Sequence, residues 1–427
     1  MPVTIFIISF VLLFIFSGVV FPFTTDSGIY ISLAEHISSF QGMRFSNFFL
    51  MPAEADDLPS FLFPPGYSIL IAICKLVGMD AYTASLMWPR LGFICLPFLF
   101  FAVFKNVMSN RLSWVGAFMC TLMFATLKCS LMALSDIPYL CFSLLTLSMF
   151  FMIIKKQAQL PIIFIILAGA LAGYAFLIRY VGISLIASIM IGLVFSLLLQ
   201  VISIRNFLRI LFFYSLGILL VLAPYEIRNL SLFGTMDIYP KIPSSVSLLE
   251  NVHDYLQGLS GMLFLSRSFA WVVLGVIVFF IGSFVIYFKD VILKQKEWAI
   301  YGVTLLTYFL LGSMFLLAYK SLYAGPEPIN DRYLIQLAWI LMGGLIFMAH
   351  QLINQLNMLK PLKTRLSIIF ILVGFILLQI IPAAAFYKNE RINKEVSERI
   401  KSHIHIVKYL PADHLIVTNA ADMVYYF

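Results

Sequence analysis

The sequence predicts an all-α polytopic membrane protein with about eleven transmembrane helices of roughly 20 residues each. Three observations predict it. Of 427 residues, 62% are hydrophobic and 11% charged, where a soluble domain carries about half and a quarter. The apolar residues fall into solid blocks rather than short alternating segments, which excludes a transmembrane barrel. The charges between the blocks sort by side. The same composition excludes a disordered chain and a disulfide-stapled secreted domain.

In chain order, the blocks predict spans near 3–23, 82–104, 112–131, 137–154, 160–177, 181–201, 208–224, 268–288, 299–318, 333–349 and 366–386. The first lacks a basic n-region and a small-residue cleavage site, so it reads as a retained anchor. The block 160–200 is long enough to cross twice. Its only charge, Arg179, stands at the midpoint beside Tyr180 and Gly182, where a tight turn between antiparallel helices belongs.

With the amino terminus inside, the inner loops hold Lys105, Arg111, Lys155, Lys156, Arg205, Arg209, Lys289, Lys294, Lys296, Lys360, Lys363 and Arg365, opposed only by Asp290 and Glu297. Asp26, Glu35, Glu54, Asp56, Asp57, Asp80, Asp136, Glu226, Asp237, Glu250, Asp254, Glu327 and Asp331 all fall outside. This is the basic-inside distribution of a membrane protein, so the net charge of +8 marks topology and calls for no nucleic-acid partner. The acids put the chemistry on the outer face. The long outer loops run from Thr24 to about Pro65, from Pro224 to about Arg267, and from Tyr319 to Arg332, and loops of such length are usually functional or disordered. Residues 1–386 form the transmembrane unit. Residues 387–427, with eleven charges in forty-one residues, read as a soluble outer tail carrying an amphipathic helix and a strand-like Leu415-Ile416-Val417-Thr418, an incomplete α/β unit.

The five cysteines, Cys74, Cys95, Cys120, Cys129 and Cys141, lie in apolar segments without metal-ligand spacing. Asp26 opens Thr24-Thr25-Asp26-Ser27-Gly28-Ile29-Tyr30, and Ile29, Leu33 and Ile37 share a stripe. The segment reads as an interfacial helix, with Asp26 as its N-cap or as a base at the membrane mouth. Phe63-Pro64-Pro65-Gly66-Tyr67 precedes an apolar helix too short to span, which should rest at the interface. Lys75 on it snorkels or meets a lipid phosphate. Glu54, Asp56 and Asp57 form a solvated loop or bind an acceptor or cation. In the turn Ala133-Leu134-Ser135-Asp136-Ile137-Pro138, Asp136 is either a cap or the partner of Asp26 in a carboxylate pair. His36 and His253 read as surface residues and Arg90 as an interfacial anchor.

These residues resemble the GT-C membrane glycosyltransferases, more narrowly the group of aminoarabinose transferases and protein O-mannosyltransferases. The resemblance is carried by Asp26 in Asp-x-x-x-Tyr-x-x-Leu-Ala, by Pro64-Pro65-x-Tyr67, by Asp136 before the fourth span and by Arg332-Tyr333 before a late span. It implies a polyprenyl-phosphate sugar as donor, an acceptor lipid, glycan or protein, and a site on the outer leaflet. Asp26 matches the family's catalytic carboxylate and Asp136 its second active-site acid, with Tyr30, Pro64, Pro65 and Tyr67 in the substrate loop. The aminoarabinose transferases usually carry a Lys before the Pro-Pro, where this chain has Phe63.

Such a donor brings its own leaving group, so inverting transfer needs a base for the acceptor hydroxyl and a cation for the departing phosphate, with no cofactor or metal expected. Arginine suits phosphate through its fork of donors. Arg332 is the first candidate, then Arg179 and Arg228, with Asp331 and Glu226 as alternative local partners. The expected location is an integral membrane, bacterial and inner, with the site facing the periplasm. A flippase or transporter, and a polymerase of lipid-linked glycans, are the competing readings. The first of these normally places ionisable residues near the bilayer midplane.

Overall fold

The computed structural model describes residues 2–17, 24–45, 58–59, 63–156, 160–234, 244–264, 270–275, 277–278, 281–282, 296–323, 329, 331–355 and 379. The predicted tail 387–427, the acidic run Glu54, Asp56 and Asp57, the inner-loop residues Lys289, Lys294, Lys360, Lys363 and Arg365, and all but Gln379 of the predicted span 366–386 lie outside them. The span near 268–288 is described only in part.

The chain runs α1 (Pro2–Ser17), α2 (Thr25–Ser38), β1 (Arg44–Phe45), β2 (Leu58–Pro59), α3 (Gly66–Leu76), α4 (Ala81–Phe104), α5 (Asn110–Leu122), α6 (Phe124–Leu131), α7 (Asp136–Lys156), α8 (Ile162–Ile178), α9 (Gly182–Leu198), α10 (Ile204–Phe233), α11 (Leu248–Phe264), α12 (Lys296–Tyr323) and α13 (Asp331–Gln355). The two-residue strands pair antiparallel, Arg44 opposite Pro59 and Phe45 opposite Leu58. Helices α4, α7, α10 and α12 are each long and apolar enough to cross a membrane, and α5 with α6 qualifies as one broken crossing. Helices α1, α3, α8 and α9 are apolar but shorter.

The turn at Arg179 stands where the sequence places it. Helix α8 ends at Ile178, Arg179 adopts an extended backbone, and α9 starts at Gly182. A Cβ at Gly182 would lie 2.6 Å from the Phe176 backbone, so only glycine lets α9 fold back this closely. Helix α8 carries no charge over its 17 residues and packs intimately on α10. A Cβ at Gly169 would collide with the Tyr214 carbonyl, and one at Gly217 with that of Ile166. This is the small-residue contact by which membrane helices gain close van der Waals packing where lipid supplies no hydrophobic drive.

Three expectations change. The single span at 112–131 is bent by 58° at Met123 between α5 and α6. No proline is involved: the Phe124 N–H freed by the break donates to the Gln379 side chain at 2.9 Å, which satisfies a group that apolar surroundings would leave costly. The short helix α3 packs close to the Asp26 helix α2, as expected, with Ile73 and Leu76 exposed on its outer side, but Lys75 neither snorkels alone nor stands free for a lipid phosphate. Gly66, Tyr67, Ser68, Leu70, Ile71, Ala72 and Cys74 are buried, wedged among α2, α4 and α8. Lys75 on its exposed side pairs with Glu35 of α2 at 3.2 Å. Asp26 is not the N-cap of α2, because Thr24 and Ser27 close a reciprocal capping box, leaving Asp26 in the first turn to face elsewhere.

Buried polar side chains tie the helices together. Tyr139 of α7 and Tyr308 of α12 share a hydrogen bond at 2.9 Å, and the Trp339 indole of α13 donates to Thr126 of α6 at 3.0 Å. Each such partner answers a polar group that burial would otherwise penalise.

Candidate functional site

The site begins with the docking of α2. The Ser27 hydroxyl, besides its capping role, donates to the Ala133 carbonyl at 2.9 Å. The Tyr30 hydroxyl meets that of Ser135 at 3.0 Å. The first turns of α2 are thereby fixed against the short turn that leads into α7, bringing Asp26 and Asp136 to one place. Tyr30 is held from below by edge contacts to Tyr67, with centroids 4.9 Å apart, and Phe63, at 5.3 Å.

The prolines build that floor. Pro65 is the N-cap residue of α3, and the Tyr67 hydroxyl donates to the Ser85 carbonyl of α4. Tyr174 of α8 donates to the Gly66 carbonyl at 2.8 Å. A Cβ at Gly66 would lie 2.5 Å from the Leu177 carbonyl carbon. The Pro-Pro-Gly-Tyr segment therefore presses directly on the end of α8, next to Arg179.

Two carboxylate–guanidinium pairs stand on this base: Arg332 of α13 with Asp26 of α2, and Arg179 of the α8–α9 turn with Asp136 of α7. Asp136 is the more deeply buried acid, its side chain 2% exposed against 18% for Asp26. Among the described residues, Asp136 Oδ2 and Arg332 Nε are buried without a hydrogen-bond partner. Burial opposes the charge on Arg179, and the adjoining Asp136 carboxylate outweighs it, holding its pKa above the usual arginine value. Burial, with Asp26 adding to it, pushes the Tyr30 phenol well above its ordinary range, so Tyr30 is a neutral hydroxyl at any physiological pH.

Tyr333 is the hub. The Arg332 and Arg179 guanidinium carbons lie 5.2 and 5.4 Å from its ring centroid, and Lys320 Nζ lies 4.4 Å from it. Lys320 is 2% exposed. A cleft of about 800 Å³, counting its open mouth, adjoins them and takes its walls from α2, the Phe63-Pro64 segment, Ser135, residues 178–181, the end of α12 and the start of α13. Every one of these segments falls on the same predicted side of the membrane, as the alternation of spans requires.

The predicted residues divide accordingly. Asp26, Asp136, Arg332, Arg179, Tyr30 and Pro64 converge, while Tyr67 and Pro65 support them from beneath. Arg332 takes Asp26 as its carboxylate partner. Arg228 is turned elsewhere, donating to the Met43 carbonyl at 2.7 Å and to Asn229 at 3.0 Å, and does not line the cleft. His36 and His253 bond to Gln41 and Gln257, both at 2.7 Å. No group of three His, Cys, Asp or Glu side chains suited to a metal occurs among the described residues. Lys320 is not distinguished by sequence, because a lysine at the end of a span looks like any interfacial anchor. Its one clue is its place in the same outer loop as Arg332.

No protein-family model and no curated protein matches this sequence. Solved structures do. The Archaeoglobus fulgidus oligosaccharyltransferase, tethered to an acceptor peptide containing an NVT sequon, superposes with a TM-score of 0.54 at 11% identity, over 91% of this chain and 55% of that one. ArnT of Cupriavidus metallidurans bound to undecaprenyl phosphate gives 0.52 at 12% identity, over 97% and 66%. Archaeal AglB from A. fulgidus, in complex with an inhibitory peptide and a dolichol-phosphate, gives 0.50 at 14% identity, over 92% and 55%. The chain spans about half to two thirds of the length of these proteins. At such identities the likeness speaks for architecture: this integral membrane protein has the fold of the GT-C glycosyltransferases.

Proposed function

We propose that the protein is an inverting glycosyltransferase that moves a sugar from a polyprenyl-phosphate donor to an acceptor hydroxyl on the extracytoplasmic face of the membrane, with Asp26 as the base. The observation that carries this reading is the pairing of Asp26 with Arg332 beside a cleft also lined by Arg179. A base and its phosphate-binding cations stand together at helix ends rather than at mid-membrane, where a transporter would hold them. Three solved structures of the same fold lend support, two of them holding a polyprenyl-type phosphate.

The chemistry divides between the partners. Asp26 takes the proton of the acceptor hydroxyl as its oxygen attacks the anomeric carbon from the face opposite the phosphate. The bond from that carbon to the phosphate oxygen breaks, and the electron pair leaves with polyprenyl phosphate. The charge that grows on the phosphate is met by Arg332 and Arg179. The cleft requires no bound metal for this scheme, since the cations are side chains. Asp136 holds Arg179 in place. The count of about eleven spans, a bacterial inner membrane with the cleft facing the periplasm, and an acceptor that is a lipid, a glycan or a protein complete the reading.

The test is to incubate the protein in lipid with a panel of radiolabelled polyprenyl-phosphate sugars, beside Asp26→Asn. Loss of sugar from one donor, reduced at least ~100-fold in the variant as expected on removal of a general base, supports the proposal. Full turnover by the Asn variant, or movement of lipid across the bilayer with no sugar loss from any donor, overturns it.

A further inference from the structure

Trp339 stands on the same stripe of α13 as two residues of the cleft wall, Arg332 and Gln336, at the spacing of three and four that keeps side chains on one helix face. It is fully buried. Its indole N–H donates to the Thr126 hydroxyl of α6 at 3.0 Å, and its ring meets that of Phe100 of α4 edge-on, with centroids 5.6 Å apart. Helix α6 leads through a short turn to Asp136 and α7. That turn carries both anchors of α2, the Ala133 carbonyl for Ser27 and the Ser135 hydroxyl for Tyr30. These contacts close a ring. Trp339 and Thr126 join α13 to α6, the chain joins α6 to the turn, two hydrogen bonds join the turn to α2, and Asp26 with Arg332 joins α2 back to α13.

We infer that the Trp339–Thr126 hydrogen bond holds Arg332 in register with Asp26 when their ion pair is open. Its use in turnover rests on the proposed function: a phosphate that draws Arg332 off Asp26 breaks the ring at that link, and the base must then keep its spacing from a cation it no longer touches. Apolar packing of α13, such as Gly343 against the Phe104 ring, is non-directional and tolerates a small slide or rotation. A hydrogen bond weakens steeply off its line. Between buried side chains, the Trp339 N–H has no water to turn to, so parting α13 from α6 leaves it unpaired at a cost. Trp339 is thus a positioning residue, acting along α13 on Arg332 and through α6 on the turn that seats Asp26.

The experiment uses the full chain in detergent or nanodiscs. It compares Thr126→Val, which keeps the side-chain shape and removes the acceptor, Thr126→Ser, which keeps the hydroxyl, and Trp339→Phe, which removes the donor. Thermal midpoints are read with and without Asp26→Ala. Asp26 meets Arg332 and Thr126 meets Trp339, so the two losses add unless α13 couples them. A midpoint that falls further in the Asp26→Ala, Thr126→Val double variant than the sum of the two single losses supports the inference, and simple addition overturns it. Turnover of the lipid-linked donor that wild type uses is read next. We expect kcat to fall roughly threefold to tenfold in Thr126→Val, the scale of one neutral hydrogen bond, with the donor KM changed by less than about twofold and Thr126→Ser close to wild type. A lower midpoint with an unchanged kcat marks a merely structural tie and overturns the positioning role, as does a Ser variant no better than Val. Should Thr126→Val not fold, Trp339→Phe decides by the same criteria. If wild type turns over no donor, the transferase reading falls by itself, and the melting cycle still decides whether the bond couples α13 to α2.

Discussion

Arg332 donates to the carboxylate of Asp26 across 306 residues of sequence, so the base proposed for transfer and the cation proposed for the donor phosphate occupy each other until substrate arrives. The pair holds α2 to α13 at the cleft. A phosphate entering between them competes with Asp26 for the guanidinium. On the proposed function, donor binding and release of the base are one event, which would leave the carboxylate free only when there is a sugar to transfer.

Arg332→Ala should therefore weaken the donor and leave Asp26 without its partner. We expect the KM for donor to rise at least ~10-fold, in line with the loss of a charge-assisted contact of about 1.5–3 kcal/mol. Arg332→Lys should recover part of this, because it keeps the charge and loses the fork. Steady-state kinetics over donor concentration check it. An unchanged KM in Arg332→Ala would move the phosphate to Arg179.

Tyr30→Phe removes the bond to Ser135 while leaving the ring on Tyr67 and Phe63. One neutral hydrogen bond is worth about 0.5–1.5 kcal/mol, so activity should fall by roughly threefold to tenfold through loosening of α2. Because the phenol is pushed well above its ordinary range by burial and by Asp26, the pH–rate profile of the variant should overlay that of wild type between about pH 6 and 9, below the ordinary tyrosine range. A profile whose alkaline limb shifts with the mutation would show that Tyr30 titrates during turnover.

Much of this arrangement is legible in the sequence, for identifiable reasons. The sidedness of charges alone puts Asp26, Asp136, Arg179 and Arg332 on one face, because a membrane allows ionisable groups few places to stand. The Arg179 turn is legible from a lone charge inside a forty-residue apolar block. Pairing is not: Asp26 with Arg332 and Asp136 with Arg179 depend on how helices distant in sequence pack, and nearer acids such as Asp331 and Glu226 offer themselves first. The bend at Met123 is hidden for the same cause, since the Gln379 side chain that satisfies it comes from the far end of the chain. Lys75 of α3 misleads because a lysine on a short apolar helix looks the same from sequence whether a lipid phosphate or a carboxylate such as Glu35 meets it.

The Asp136–Arg179 pair should behave differently from the outer one. With Asp136 almost fully buried, removing one partner strands the other. Arg179→Met is expected to destabilise the protein by about 3–5 kcal/mol, the usual effect of orphaning a buried charge, and Asp136→Asn by less, because the amide still accepts from Arg179. Thermal unfolding in detergent measures both. If Asp136→Asn instead keeps wild-type stability and abolishes transfer, Asp136 contacts the substrate through Oδ2 as well as holding Arg179.

Gly66 offers a test of how the Pro-Pro segment transmits to the cleft. An added methyl would stand 2.5 Å from the Leu177 carbonyl carbon and 2.7 Å from the Ile178 nitrogen, closer than Cβ atoms tolerate, and both obstacles are backbone that cannot rotate aside. Either α3 lifts from α8 or the α8–α9 turn shifts, and both carry a cleft residue, Pro64 in one case and Arg179 in the other. Overpacking of this kind costs about 1–3 kcal/mol, so Gly66→Ala should lower the thermal midpoint and, in the fraction that remains folded, reduce transfer. Gly42 serves as the control: open space surrounds its Cβ position, and although its φ of +85° makes alanine strained there, the strain stays in the loop after α2. A Gly66→Ala protein that melts lower yet transfers at the full rate would show that the floor beneath Tyr30 sets stability alone and leaves the spacing of Asp26, Arg179 and Arg332 untouched.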